Sequence, residues 1–322
     1  MPAPKKILID CDPGIDDALA ITLAHGCDAL DLVGLTTVGG NVSLDLTTSN
    51  ALRLREFLGF PQVPVAAGSA GALVVSRIDA SEVHGFGGLG GAVLPEPRLK
   101  AHDGHAVDFI IDTLAASPGE ISLAAVGPLT NIALAVRREP RIVEWAREFV
   151  IMGGSYTRGN RTPAAEFNIA ADPEAAAIVF GAGWTVIQIG LDVSLTALAT
   201  GQVLERMRGL GRLGSELLIP SLEFYGMTTA HDGPAVHDAL AVACVADPGL
   251  FEFTPAVVDV ETAGRFTSGM TVIDFNLRGR LPNANVARSI DVERFWDLTL
   301  ESFAQAAARL PWPGGLPGSP RG

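Results

Sequence analysis

The sequence contains few cysteines, and their arrangement excludes two common uses of that residue. Three cysteines, Cys11, Cys27 and Cys244, occur in 322 residues. Their spacing matches no zinc motif, and an odd, small number is poor material for a disulfide framework. The apolar stretch near the N-terminus stops at Asp10, too early for the apolar segment of a signal peptide. We therefore expect a protein of the reducing cytoplasm.

Basic residues and long apolar runs are also scarce. Lysine and arginine total 23 against 36 aspartates and glutamates, which gives a formal net charge of −13. The basic residues are scattered rather than gathered into a stripe, so binding to a nucleic-acid backbone is not expected. The most apolar stretch, residues 121–136, is broken by Gly127-Pro128 and is shorter than the ~20 apolar residues of a membrane-spanning helix. We expect neither nucleic acid nor a membrane as a partner.

The apolar residues that are present follow a regular alternation. Short runs rich in β-branched residues alternate with longer segments of helical period, which predicts an α/β protein with an open, mostly parallel sheet flanked by helices. The predicted strands are Lys6–Ile9, Asp31–Val38, Ile121–Val126, Phe149–Met152 and Thr185–Ile189. The predicted helices are Asp16–His25, Leu44–Leu58, Gly104–Ala116, Leu129–Arg137 and Pro173–Phe180. Ligands of such sheets bind at the carboxyl ends of the strands.

Two segments interrupt this alternation. The glycine-rich residues 81–91 and the helical residues 202–246 are long connections of the kind that usually carry function, and we expect them to cover the site, with the helical block as a cap. No linker divides the core, so residues 5–310 are predicted to form a single domain. The remaining residues 311–322 are rich in proline and glycine, and we expect a disordered tail.

Four aspartates follow the first predicted strand within eight positions. Asp10, Asp12, Asp16 and Asp17 surround the turn Pro13-Gly14. A hard divalent cation needs several oxygen ligands in a small volume, and a strand end, a turn and a helix start can direct carboxylates to one point. The dipole of the helix offsets part of their mutual repulsion. Capping of the helix explains one of these aspartates but not four, so the run favours a metal site.

Two other aspartate-rich motifs were compared with this run. An EF-hand loop alternates its acidic ligands and has glycine at its sixth position, whereas Pro13-Gly14 interrupts the alternation here. A phosphatase of the haloacid dehalogenase type also begins with a strand and Asp-x-Asp, and Asp10 would be its nucleophile. That motif normally continues with Gly-Thr, where this chain has Pro-Gly. The phosphatase stays as a remote alternative.

The run from Asp10 to Asp17 resembles the signature of the nucleoside hydrolase family, of the inosine-uridine-preferring type. Further blocks follow in the family's order over roughly residues 5 to 306, and their ordered recurrence is a much stronger signal than any one of them. These blocks are residues 36–41, His84-Gly85, residues 126–131, residues 152–154, residues 166–168 and His237-Asp238. The resemblance implies a Rossmann-like fold and hydrolysis of the N-glycosidic bond of ribonucleosides to ribose and free base. It also implies a homodimer or homotetramer and a role in purine or pyrimidine salvage.

The resemblance further implies a calcium ion and its ligands. The ligands would be Asp12, Asp17, the backbone carbonyl of Val126, and Asp238. The ion would also bind the 2′ and 3′ hydroxyls of ribose and one water, the nucleophile, for which Asp12 would be the general base. Asp10 would orient its neighbours without touching the ion.

The same resemblance assigns residues to the substrate. Asp16 and Asn41 would hydrogen-bond the ribose hydroxyls, while Asn160, Glu166 and Asn168 would hold the 5′ and 3′ hydroxyls. The remaining predicted substrate contacts are Met152, Phe167, Tyr225 and, at the base, His84. Taken without the family, Glu166 and Asn168 could cap the helix that follows Asp172-Pro173, and Phe167 and Tyr225 could be core residues.

His237 is the candidate acid that protonates the leaving base. A histidine can carry that proton near neutral pH, and a base-stacking or structural role is the alternative. His102-Asp103 and His231-Asp232 are also His-Asp pairs, but only His237-Asp238 opens an apolar helix.

Base preference is left open by a departure from the family pattern. After His84-Gly85 the family commonly has an acidic or polar residue, whereas this chain has Phe86-Gly87-Gly88. Purine, pyrimidine, broad and modified-base preferences all stay possible. A nucleoside-binding protein without turnover is a further alternative, although binding alone does not require Asp12 and His237.

Overall fold

The predicted alternation of strands and helices is present in the computed structural model, which describes residues 3–229 and 233–311. The strands are β1 (Lys5–Cys11), β2 (Leu30–Thr37), β3 (Val65–Ala67), β4 (Ile121–Ala125), β5 (Ala146–Met152), β6 (Val186–Ile189), β7 (Phe251–Val260), β8 (Thr271–Asp274) and β9 (Ala284–Ile290). The α-helices are α1 (Ile15–Gly26), α2 (Leu44–Leu58), α3 (Ser81–His84), α4 (Ala106–Ala116), α5 (Thr130–Arg138), α6 (Ile142–Trp145), α7 (Phe167–Ala171), α8 (Pro173–Phe180), α9 (Leu191–Ser194), α10 (Gly201–Arg208), α11 (Ile219–Thr228), α12 (His237–Ala246) and α13 (Val292–Arg309). A π-helix, Leu213–Leu218, precedes α11, and a 3₁₀-helix, Pro248–Leu250, precedes β7.

The strands of the described residues form one mostly parallel sheet, as predicted. Their order is β3-β2-β1-β4-β5-β6-β9-β7-β8. Neighbours from β3 to β9 pair in parallel, and β7 runs antiparallel to both β9 and β8. The chain runs from β1 outward to β3 and then places β4 on the other side of β1. The order therefore reverses between β1 and β4, and at such a point the carboxyl ends of the strands leave a crevice for ligands.

The central strand and the first helix are almost entirely buried. Ile7, Leu8 and Ile9 of β1 have no exposed surface, which is the pattern of a parallel strand covered on both faces. One face packs against α1, α2, α12 and α13, and the other against α4, α5 and α8. Every residue of α1 except His25 is buried, because α1 packs between α12 and α13.

The two segments predicted to cover the site have different roles. In residues 81–91, α3 and the loop after it lie over the start of α1, where the ring of His84 accepts a hydrogen bond from the backbone N–H of Ile15. In residues 202–246, α11 lies beside α3, whereas α12 is a buried core helix. The segment thus forms a cap only in part. The pair His231-Asp232 and the tail from residue 312 lie outside the described residues.

Within residues 3–229 and 233–311, none of the helices combines the length and apolarity needed to cross a bilayer.

Candidate active site

The four aspartates of the predicted metal run lie together at the crevice between β1 and β4. Asp10 lies in the buried part of β1, one residue before its end, and Asp16 and Asp17 lie in the first turn of α1. Asp17 fixes the intervening turn, because its two carboxylate oxygens accept hydrogen bonds from the backbone N–H groups of Asp12 (3.0 Å) and Gly14 (2.9 Å). All four carboxylates are buried.

Asn41, which follows β2, connects two of these aspartates. Its backbone N–H donates to Asp12 Oδ2 at 2.7 Å, and its side-chain amide donates to the backbone carbonyl of Asp12 and to Asp17 Oδ2. The other oxygen, Asp12 Oδ1, is buried and accepts no hydrogen bond, as is Asp16 Oδ1. These two carboxylate oxygens are therefore removed from water without gaining a hydrogen bond. Burial of this kind raises the free energy of the folded state unless another group, such as a cation, binds the oxygens.

Two glycines of the sequence motifs leave space for the Asp12 carboxylate. A Cβ atom on Gly40 would lie 2.0 Å from Asp12 Oδ2, and one on Gly127 would lie 2.5 Å from Asp12 Oδ1. Both distances are far below van der Waals contact. A side chain at either position would collide with the carboxylate of Asp12, so glycine is needed at both Gly40 and Gly127.

Asp10 has hydrogen-bond partners other than those of Asp12 and Asp17. Its Oδ1 accepts hydrogen bonds from Thr36 Oγ1 (2.5 Å) and from the side-chain amide of Asn131 (2.9 Å). Asn131 also accepts a hydrogen bond from the backbone of Ser69, so it ties the ends of three strands together. Burial raises the pKa of Asp10 to about 7. These contacts fit the predicted supporting role.

The acidic cluster has the composition of a site for a hard divalent cation. Asp16, Asp17 and Asp238 each offer an oxygen, and these oxygens lie within 4.8 Å of one another. Asp238 lies in the first turn of α12, so the N-termini of α1 and α12 both direct a carboxylate to this point. In the part of the chain that the structure describes, no lysine or arginine forms an ion pair with them. A cation with oxygen ligands would supply the missing charge.

The pKa values of these carboxylates reflect the same shortage of positive charge. Burial, and then repulsion by neighbouring carboxylates, raises the pKa of Asp12, Asp16 and Asp238 well above the ordinary value. Burial raises the pKa of Asp17 only to about 6, because the hydrogen bonds from Gly14 and Asp12 stabilise its charged form. A bound cation would reverse these shifts by favouring the charged carboxylates.

A cavity of about 260 Å³ opens over the cluster. All of the predicted site residues line this cavity except Asp12 and Asp17. Both of these accept hydrogen bonds from Asn41, which does line it. The predicted residues that line the cavity are Asp16, Asn41, His84, Val126, Met152, Asn160, Glu166, Phe167, Asn168, Tyr225, His237 and Asp238. The motifs are therefore brought together at one place, although the role of each residue stays a prediction.

Glu166 does cap a helix, but that helix is α7 and not the one that follows Asp172-Pro173. It lines the cavity, and its carboxylate caps α7 by accepting hydrogen bonds from the backbone N–H groups of Asn168 and Ile169. A third N–H, from Gly154, donates to the same carboxylate at 3.0 Å. Burial raises the pKa of Glu166 to about 7 despite these bonds. The helix after Asp172 is capped by Asp172 itself, so neither Glu166 nor Asn168 is needed there.

On this side of the cavity, Asn168 is hydrogen-bonded to the ends of two strands, and Asn160 is hydrogen-bonded to α7. Asn168 donates from its amide to the carbonyl of Val126 at 2.9 Å and to the carbonyl of Met152 at 3.1 Å. Asn160 accepts a hydrogen bond from the backbone of Phe167 at 2.9 Å. The carbonyl of Val126, a predicted metal ligand, keeps a second lone pair beyond the one that Asn168 uses.

Two histidines and an aromatic ring line the cavity next to the carboxylate cluster, where His84 Nδ1 lies 4.0 Å from Asp16 Oδ1. Because Nδ1 of His84 accepts a hydrogen bond from the backbone of Ile15 at 3.1 Å, a neutral ring carries its proton on Nε2. Burial, with a contribution from nearby His237, lowers the pKa of His84 to about 3. The ring stacks on Tyr225 with 5.5 Å between centroids. Tyr225 is thus both buried and part of the cavity wall.

His237 is the first residue of α12 and lines the cavity beside Asp238. Its Nδ1 lies 2.7 Å from Ser194 Oγ. His102, from another His-Asp pair, is exposed and accepts a hydrogen bond from the backbone of Gly104. Of the two His-Asp pairs in the described residues, the one at the cavity is His237-Asp238.

Several lining residues were not predicted. Arg161, on the loop before α7, donates to Glu82 Oε1 of α3 at 2.9 Å, and both side chains line the cavity. Leu195 adds further surface. No sequence pattern links residues so far apart in the chain. The available signal was that Arg161 follows the motif residue Asn160 and that Glu82 lies two residues before the motif residue His84.

The fold and the site define a class of protein: a mostly parallel α/β sheet with a buried carboxylate cluster and a cavity at its switch point. Residues 7–297 match the family described as inosine-uridine preferring nucleoside hydrolase. The chain therefore belongs to the nucleoside hydrolase family. It is an enzyme of the ribonucleoside hydrolase class.

Relatives and a solved structure agree with this assignment. The chain is 45% identical over 306 residues to the inosine-uridine preferring nucleoside hydrolase of Leishmania major, with 93% of this chain and 98% of that protein covered. It is 43% identical over 302 residues to the non-specific ribonucleoside hydrolase RihC of Escherichia coli strain K12, with 94% and 99% covered. The purine-preferring ribonucleoside hydrolase from Gardnerella vaginalis superposes with a TM-score of 0.88 at 34% identity, covering 94% of this chain and 99% of that chain.

The ion pair between Arg161 and Glu82 gives a first testable prediction. It joins α3, which carries His84, to the loop that carries Asn160, so Arg161→Ala or Glu82→Ala should raise KM about three- to fivefold and change kcat little. The exchanged double variant, Glu82→Arg with Arg161→Glu, should recover much of the loss. Glu120→Ala, which breaks an exposed ion pair with Lys6 away from the cavity, is the matched control. Steady-state kinetics with a nucleoside would contradict the prediction if KM stayed within the range of that control.

Proposed function

We propose that the protein hydrolyses the N-glycosidic bond of ribonucleosides with a bound calcium ion, with Asp12 as general base and His237 as the acid for the leaving base. The observation that carries this proposal is the cavity, which is lined both by carboxylates of the cation-deficient cluster and by two buried histidines, His84 and His237. Water would add its hydroxyl to C1′ of the ribose as the bond from C1′ to the base nitrogen breaks.

Asp12, Asp17, Asp238 and the carbonyl of Val126 would hold the ion. Their oxygens suit calcium, which prefers carboxylates and carbonyls in flexible geometry. When bound, the ion supplies Lewis-acid activation of water and positive charge beside the ribose hydroxyls. The carboxylate of Asp16 also lies close to those of Asp17 and Asp238. We propose that Asp16 hydrogen-bonds a ribose hydroxyl, as the family resemblance implies.

Asp12 is suited to accept the proton of the attacking water. Its Oδ2 is held by the backbone N–H of Asn41, while Oδ1 has no hydrogen-bond partner. The carboxylate is thus fixed in orientation and keeps one oxygen available to a proton.

The residues on the remaining walls would bind the two halves of the substrate. Asn41, Asn160, Glu166 and Asn168 would hydrogen-bond the sugar, and these contacts accelerate the reaction where they tighten as the ring flattens in the transition state. Met152, Phe167, Tyr225 and His84 would surround the substrate, with His84 and Tyr225 beside the base. One proton of the attacking water would go to Asp12 and its hydroxyl would stay on C1′, while His237 would give its own proton to the leaving nitrogen, so that ribose and neutral base are released.

A nucleoside panel with ribose detection, with and without calcium, tests the function. We expect ribose from inosine and uridine in the presence of calcium, and loss of release after chelation. Saturable binding without ribose release from any nucleoside would identify a binding protein instead. Hydrolysis of 4-nitrophenyl phosphate would favour the phosphatase, although Asp10, its required nucleophile, is bonded to Thr36 and Asn131 and does not line the cavity.

We also propose a cytoplasmic homodimer or homotetramer. The three cysteines are buried free thiols, which suits a reducing compartment. Light scattering coupled to size-exclusion chromatography measures the oligomeric state directly, and a monomer at micromolar concentration would contradict this part of the proposal.

A further inference from the structure

Ser194 is a buried serine whose hydroxyl contacts the candidate acid, His237. It ends the short helix α9 after β6, it has no exposed surface, and its Oγ lies 2.7 Å from Nδ1 of His237. A buried hydroxyl needs a hydrogen-bond partner, and here that partner is an imidazole that lines the cavity.

We propose that Ser194 is a positioning residue that holds the imidazole of His237 in the orientation required to protonate the leaving base. This inference rests on the proposed function, because it assumes that His237 is the acid. The hydrogen bond at Nδ1 stops rotation of the ring about its bond to Cβ. The opposite ring nitrogen, Nε2, is then directed away from Ser194. From this fixed position Nε2 gives its proton to the nitrogen of the leaving base.

Both ends of this hydrogen bond are fixed to the core. The backbone of His237 belongs to α12, a buried helix that packs on α1. Ser194 is fixed through α9, where Asp192 accepts hydrogen bonds from Ser155 Oγ (3.1 Å) and the backbone N–H of Tyr156 (2.8 Å). These two residues begin the loop that also carries Asn160. Through α9, Ser194 therefore connects the imidazole of His237 to the loop on the sugar-binding side of the cavity.

The test compares substrates that differ in their need for an acid. Inosine requires protonation of its base, whereas 4-nitrophenyl β-D-ribofuranoside releases a stable phenolate without it. Ser194→Ala in the full-length, calcium-loaded enzyme should lower kcat on inosine about 10-fold and change kcat on the nitrophenyl riboside less than about twofold. Ser194→Thr should restore most of the inosine activity because it keeps the hydroxyl.

A double-mutant cycle connects the effect to His237. His237→Ala should show the same selective loss on inosine, and adding Ser194→Ala to it should cause no further loss. Ser302→Ala, which removes another buried hydroxyl, is the control and should leave both substrates unchanged. If Ser194→Ala does not fold, Ser194→Cys replaces it, because cysteine keeps the size but is a weak donor.

The outcomes separate this inference from the proposed function. Equal losses on both substrates, or additive losses in the double variant, would overturn the positioning role of Ser194. A His237→Ala variant without selectivity between the substrates would instead reject His237 as the acid. Absence of ribose release by the wild-type enzyme from the nitrophenyl riboside and from every nucleoside of the panel would reject the proposed function itself.

Discussion

Replacement of Asp12 with alanine is expected to lower kcat by about 10³- to 10⁴-fold while the protein stays folded. The loss follows from removal of the carboxylate whose Oδ1 has no hydrogen-bond partner and would accept the proton of the attacking water. Stability should change little, because the variant leaves the N–H of Asn41 without its acceptor but also removes one of several repelling buried charges. Steady-state kinetics and thermal melting measure the two effects separately.

Asp12→Asn is the sharper variant of the same experiment. Its amide oxygen can still accept the hydrogen bond from Asn41, and it fits the space beside Gly40 and Gly127, but it cannot take up a proton as a carboxylate does. We expect it to be nearly as inactive as the alanine variant. Retention of more than about a tenth of the wild-type kcat, with calcium bound, would reject Asp12 as general base.

Removal of calcium is expected to abolish activity and to lower the melting temperature. Without a cation, the buried carboxylates of the cluster repel one another, and a ligand that binds only the folded state stabilises it by about 2.7 kcal/mol at 100 times its Kd. For a chain of this size, that corresponds to about 5 °C in Tm. Differential scanning calorimetry of chelated protein, titrated with calcium, measures the shift, and activity should return over the same range of calcium concentration.

Single variants then separate metal ligands from sugar contacts. Asp17→Asn and Asp238→Asn should lose the calcium-dependent shift, whereas Asp16→Asn should keep it and raise KM, as expected of a ribose contact. The exposed Asp28 pairs with Arg309 far from the cavity, and Asp28→Asn is the control. Full activity in metal-stripped protein would contradict calcium dependence, and loss of the shift in Asp16→Asn would make Asp16 a ligand.

The parts of the fold that the sequence predicted are those with strong local signals. The five predicted strands correspond to β1, β2, β4, β5 and β6, and the five predicted helices to α1, α2, α4, α5 and α8. Each predicted strand has a run of buried apolar residues that suits a sheet covered on both faces. The motifs at their carboxyl ends could be placed together because parallel strands open a crevice there.

The unpredicted elements have weaker or overlooked signals. The strand β3 has three residues, too few for any periodic pattern, and β7 includes Pro255, a residue that normally argues against a strand. The helix α13 did have a signal, since Phe295, Thr299 and Phe303 recur at helical spacing on its buried face.

Contacts between distant segments explain what was missed in the site. Arg161 meets Glu82, and Ser194 meets His237, across large distances in sequence. Such pairs depend on how loops from different strands are arranged around the cavity, and no local periodicity encodes that arrangement.

The packing of α1 on α12 has a consequence for the order of events during synthesis of the chain. Asp17 starts α1 near the N-terminus, and Asp238 starts α12 after most of the chain has been made. A growing polypeptide that lacks α12 can present the early aspartates but cannot complete the cluster. Calcium binding would therefore require that α1 and α12 have already packed together, and the ion would hold these two segments as a late cross-link.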